Sequence, residues 1–172
     1  MSEKIITSTA YFSEGSERKH RYSLFRYWSE EKNYATIIMH NPTRKADEIA
    51  FDKSIFLAHN YFYNKKYSGY YIVNLYSYRS DSKEGLKGVP FNEKFNSDTD
   101  AHIRTAIENS KAIYIAWGTN KNKVKRINFI KGILKNREIT HVHKLKKLDG
   151  KNQHPSRYNK DLEFDHIVVE KI

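Results

Sequence analysis

The chain has 172 residues, a formal net charge of +11 and no cysteine. That length suits one domain and leaves little room for two, and the lack of cysteine excludes disulfides, thiolate zinc sites and a cysteine nucleophile. The positive surplus draws polyanions, with nucleic acid ahead of an anionic membrane surface because no basic helix with a clean apolar face stands out.

Aromatic residues make up 14%, including 13 Tyr and 9 Phe, which suits surfaces that stack on bases and equally reflects an AT-biased genome. The N-terminus has no apolar leader segment and no later run reaches membrane-spanning length, so a cytoplasmic location is expected.

Taken in order, residues 1–33 contain RYSLFRYW, with alternating apolar positions, and predict a hairpin or edge-strand element. YATIIMH (34–40) is a buried strand that ends at Asn41-Pro42-Thr43, where proline stops regular pairing. Residues 46–63 carry apolar side chains at helical spacing, and YYIVNLYS (70–77) is a second buried strand. After a polar loop with Gly85, Gly88 and Pro90, residues 97–110 predict a helix with a Ser or Asp cap and acids in its first turn. AIYIAWG (112–118) is a third strand, and residues 122–136 form a basic amphipathic helix. THVHKLK (140–146) is a fourth strand, and HIVVE (166–170) is a last strand-like run. The polar stretch 147–163 carries His154-Pro155-Ser156 and reads as a functional loop.

Strands alternating with helices predict one α/β domain over 1–172, with a three-layer α/β/α architecture and a mostly parallel central sheet. In such sheets ligands bind beyond the carboxyl ends of the strands. Those ends carry Asn41-Pro42-Thr43, Asn74 followed by Tyr78 and Arg79, Trp117-Gly118, and His154-Pro155-Ser156. An asparagine amide pairs bidentately with a base edge, and a histidine donates to an oxygen that gains charge as a bond breaks. Cleavage of an N-glycosidic bond creates that need, because the departing base takes the electrons.

Five motifs in order, RYSLFRYW (21–28), NPT (41–43), VNLYSYR (73–79), AWG (116–118) and HPS (154–156), resemble the uracil-DNA glycosylase superfamily. They are closer still to a bacterial and phage family of uncharacterised domains that shares R-x-L-x-R-x-W, Asn-Pro-Ser/Thr, V-N-L-x-x-x-R, W-G and H-P. The resemblance implies a uracil-DNA glycosylase-like fold and a monofunctional DNA glycosylase without cofactor or metal. It implies that His154 stabilises the leaving base, that Asn41 orients water, and that Asn74, with Pro42 and Thr43, holds the base. It also implies that Ser156, Arg157 and Tyr158 enter the duplex as a wedge, with Arg79 on DNA. The most active uracil enzymes carry Asp and Tyr where this chain has Asn41 and Thr43. The smaller Thr43 leaves space for a 5-substituted pyrimidine, such as a modified cytosine of phage DNA, which points to antiviral defence or to a phage protein acting on rival DNA.

Blander roles stand beside these. Asn41-Pro42 can simply end a strand, Trp117 is expected to be structural, and Asp52 and Asp100 are expected to be solvated helix charges. His141 and His143 alternate on a predicted strand and fit a sheet surface better than a metal site. The lysines of 121–135 form a solvated face that also touches phosphate. DNA, duplex or single-stranded, is the expected partner of a monomer. A non-catalytic module that binds nucleic acid or nucleotide, and an N-glycosidase acting on free nucleotides, are the alternatives.

Overall fold

The computed structural model describes residues 5–81, 85–119, 121–147, 154–159 and 161–172. The expected functional loop 147–163 therefore lies partly outside the described residues.

The segment YATIIM forms β3 (Tyr34–Met39), whose last five residues are buried, as a β-branched run covered on both faces should be. Around it lie β1 (Thr7–Phe12), β2 (Arg21–Tyr27), β4 (Gly69–Asn74), β5 (Ala112–Ile115), β6 (His141–Leu145) and β7 (Phe164–Val168). They form a seven-stranded sheet in the order β1-β2-β4-β3-β5-β6-β7. The strand β4 opens on Gly69 because a Cβ there would lie 2.6 Å from the Arg26 carbonyl oxygen of β2.

Helices cover both faces, which gives the expected three layers. On one face α1 (Lys53–Asn64) packs Ile55, Ala58 and Phe62 against Ala35, Ile37, Tyr70 and Ile72. On the other, α2 (Ser97–Glu108) and α3 (Val124–Asn136) pack Ile103, Ile107, Ile127, Ile130 and Leu134 against Ile38, Val73, Ile113 and Ile115.

The expectation of a mostly parallel sheet needs correction. Only β4-β3, β3-β5 and β5-β6 pair in parallel, while β1-β2, β2-β4 and β6-β7 are antiparallel. Parallel pairing is confined to the four inner strands joined through helices, since each parallel connection needs a crossover. The first two strands form the anticipated hairpin, and β7 turns back antiparallel onto β6.

The helix expected over 46–63 begins only at Lys53. The Asp47 carboxylate accepts the backbone N–H groups of Ile49 and Ala50, which holds a turn there, and Asp52 caps the helix by accepting from Ile55 N. In α2 the cap is neither Ser nor Asp: Asn96 accepts from Thr99 N while Thr99 Oγ1 accepts from Asn96 N, a reciprocal capping box.

Candidate strand-end site

From β3 the chain runs through α1 to β4 on one side of it, and from β4 through α2 to β5 on the other. The carboxyl ends of β3 and β5 are therefore a point where the winding reverses, the place where such sheets open a crevice. A cavity of about 440 Å³ lies there. Its wall is built by His40, Asn41 and Thr43 after β3, Trp117, Gly118 and Thr119 after β5, Lys123 at the start of α3, and His154, Ser156 and Arg157. Lys45, Ser80, Asp81 and Gly85 complete it.

The segment after β3 is held from several directions. Thr43 Oγ1 donates to Asp52 Oδ2 at 2.8 Å, so one carboxylate ties this loop to the N-terminus of α1. Arg79 donates to the carbonyls of Thr43, Arg44 and Arg18 at 3.3, 2.9 and 3.3 Å. Ser80 N bonds to Pro42 O, and Arg44 N to Asp81 Oδ1. Asn41 spends Nδ2 on the Pro42 carbonyl at 3.2 Å. After β5, Gly118 takes φ +81°, a left-handed turn that favours glycine. Lys123 Nζ then reaches back to donate to Trp117 O at 2.8 Å and Thr119 O at 2.6 Å.

His154 opens a short 3-10 turn over Pro155–Arg157 that packs on α1. Its Nδ1 accepts from Ser156 N at 3.3 Å and meets Ser156 Oγ at 2.9 Å. Burial pushes its pKa below the usual imidazole value; Asp52 opposes this, while Lys123 and Arg157 add to it. A neutral ring that accepts at Nδ1 carries its proton on Nε2, as a donor. His40 is pushed down to about 4, chiefly by burial and then by Lys123. Lys123 is itself lowered to about 8 by burial.

The structure thus brings Asn41, Thr43, His154, Ser156 and Arg157 to one cavity. Pro42 is buried and Asn74 is 2% exposed, and neither lines it. Asn74 ends β4 in register with Met39 of β3. Strand alternation puts it with Tyr70 and Ile72 on the α1 face, and both of its amide atoms are buried without a partner.

Three expectations are corrected. Tyr158 is a core residue, 3% exposed, with its hydroxyl donating to Lys146 O at 2.6 Å, so the wedge side chains reduce to the exposed Ser156 and Arg157. Arg79 is buried and committed to loop carbonyls, so it organises the NPT segment from behind instead of facing DNA. Asp100 is no free surface charge, since its Oδ1 lies 2.7 Å from Arg126 Nη2. His141 and His143 stack with His166 at ring distances of 4.9 and 5.0 Å, and among the described residues no group of three or more ligating side chains is placed to hold a metal. His40, Lys45, Ser80 and Asp81 carry no motif of their own, and Lys123, expected on a solvated face that touches phosphate, instead lies in the cavity wall with Nζ hydrogen-bonded to Trp117 O. His40 directly precedes the NPT motif and Lys123 opens the helix after Trp117-Gly118, so proximity to a motif was the available signal.

Fold and cavity together define a doubly wound α/β protein with a polar, cation-rich crevice at its switch point. The chain belongs to the family of proteins of unknown function designated DUF1643, which matches it over residues 21–156, about four-fifths of its length. The matched span opens on the first residue of RYSLFRYW and closes on the last of HPS. No curated protein and no solved structure matches the chain significantly. No helix among the described residues is long and apolar enough to cross a membrane.

Proposed function

We propose that the protein is a DNA glycosylase that takes a flipped-out base into the strand-end cavity and hydrolyses its N-glycosidic bond, leaving an abasic site. The observation that carries this is His154, which lines the cavity as a neutral imidazole with Nε2–H free to donate to the oxygen of the departing base. Asn41 shares the cavity as the group to orient water. The cavity volume suits a nucleobase, and the net charge of +11 suits the phosphates around it. Thr43 on the wall leaves room at a pyrimidine 5-position, so a 5-substituted cytosine of phage DNA, removed as antiviral defence in the cytoplasm, is the preferred substrate.

A second reading has its own observation. Among the described residues the carboxylates at this site are already engaged, Asp81 by Arg44 N and Asp52 by Ile55 N and Thr43 Oγ1. With no free carboxylate to activate water, a module that binds nucleic acid without cutting it would look the same.

The experiment measures base release from duplexes containing uracil, 5-methylcytosine or a bulkier 5-modified cytosine, with alkali revealing abasic sites. Release is expected for the bulky base, and His154→Ala should lower it by about 10²–10³-fold, the usual cost of one donor to a developing anion, with the unfolding temperature unchanged. Salt-sensitive binding with no release from any substrate sinks the enzyme and leaves the binding module.

A further inference from the structure

The five motifs contain no lysine, yet the fold delivers Lys123 into the cavity that holds His40 and His154. We propose that this cavity carries a second activity, an abasic-site lyase in which the Lys123 amine captures the C1′ aldehyde left after the base has gone. The inference rests on the glycosylase reading for the origin of its substrate, but not for its test.

The geometry suits an amine held as a nucleophile. A lysine kept as a cation is normally matched by a carboxylate, and among the described residues none pairs with Lys123. Its hydrogen-bond partners are two carbonyl oxygens, Trp117 O and Thr119 O. A neutral amine has two N–H bonds and one lone pair. When Lys123 gives up its proton, the two remaining donors match the two carbonyls and leave the lone pair directed elsewhere. Burial without an anionic partner makes that proton easier to lose than an ordinary lysine's, with the pKa lowered to about 8.

The chemistry balances without any redox partner. Nζ adds to C1′ of the ring-opened sugar, and the carbinolamine loses water to give an imine. A proton leaves C2′ for the imidazole of His40, which its low pKa keeps neutral. The electron pair forms the C2′–C3′ double bond, and the C3′–O bond breaks, releasing the strand that bears the phosphate. Water then hydrolyses the imine, which returns the amine and frees the unsaturated aldehyde.

The test supplies duplex DNA with a ready-made abasic site, so base excision is bypassed. Borohydride reduces the imine to a stable bond, and peptide mapping locates it. The wild type should give a covalent adduct on Lys123 and a β-elimination product. Lys123→Arg keeps N–H donors for the two carbonyls but forms no imine, so it should lose both signals with its unfolding temperature held. No wild-type adduct, or an adduct equally strong in Lys123→Arg, overturns the proposal. Base release from intact modified DNA is followed in parallel. Release without strand scission removes the lyase and keeps the glycosylase, while an adduct on Lys123 without release from any substrate keeps the lyase and removes the glycosylase.

Discussion

The two faces of the sheet are built differently. Under α2 and α3 the contacts are aliphatic, with Ile103, Ile107, Ile127, Ile130, Ile133 and Leu134 closing over Ile38, Val73 and Ile115. The charge buried there, Arg126, has Nε donating to Leu75 O at 2.8 Å and its guanidinium 4.0 Å from the Phe95 ring, and its Nη2 lies 2.7 Å from Asp100 Oδ1 as an ion pair without hydrogen-bond geometry. Under α1 the contacts are aromatic, through Phe62, Tyr70, Tyr114 and Tyr158. Arg21 and Arg26 bond to carbonyls of the loop at 46–50, yet Arg21 Nε, Arg26 Nη1 and both amide atoms of Asn74 have no partner. Each buried unpaired polar group costs about 1–3 kcal/mol. The α1 face, with the His154 turn on it, carries more of these atoms than the α2/α3 face, where the Arg126–Asp100 ion pair holds the two that occur, and so gives more stability up around the site.

The largest effect should come from breaking the aliphatic face. Ile130 is fully buried, and Ile130→Ala should lower unfolding free energy by about 2–5 kcal/mol in a urea titration. Base release per folded molecule should stay unchanged; a selective loss of release would mean that the two faces are not separable in this way.

Asn74→Leu should move the other way. It removes two polar atoms that have no partner among the described residues, at nearly the same volume, and should stabilise by about 1–3 kcal/mol. A destabilised variant would show that the amide has a partner, such as a buried water.

The smallest effect is that of pH. His40 and His154 both titrate lower in the folded chain than the ordinary imidazole value of 6.5. Between that value and about 4 the unfolded chain takes up protons that the folded one refuses, so stability falls as pH drops through this window. Denaturation midpoints at pH 7.5 and pH 5 should differ by about 1 kcal/mol after allowance for partial exposure, and His40→Asn should flatten the slope. A midpoint that rises toward pH 5 would contradict the burial of both rings.

Much of the inner sheet was legible because its signal is local. The runs YATIIM, GYYIVN and AIYI are continuous and β-branched or aromatic, as strands covered on both faces must be. The antiparallel flanks were harder to read, because nothing in Phe164–Val168 says which way it returns along β6. The helix over 46–52 was misread because two aspartates override an apolar periodicity by capping and turning the backbone locally. In the site, residues inside motifs are legible, whereas His40 carries no motif and Lys123 reads as one more lysine of a solvated face, because the chemistry of both comes from burial. Tyr158 and Arg79 were assigned to DNA because side-chain type alone does not reveal that a hydroxyl or guanidinium is already bonded inward.

The chain's two tryptophans fall on opposite faces. Trp117 is 1% exposed and lines the cavity, whereas Trp28 is half-buried, 5.6 Å from His59 and 5.5 Å from Tyr63. Intrinsic fluorescence thus contains two separable reporters. With Trp28 replaced by Phe, the remaining emission belongs to an indole in a dry environment beside the cavity, so an entering base quenches it. With Trp117 replaced by Phe, the emission is that of an indole next to an imidazole and follows loosening of the α1 side. The protein carries its own optical probe for each half of the molecule, with no label added.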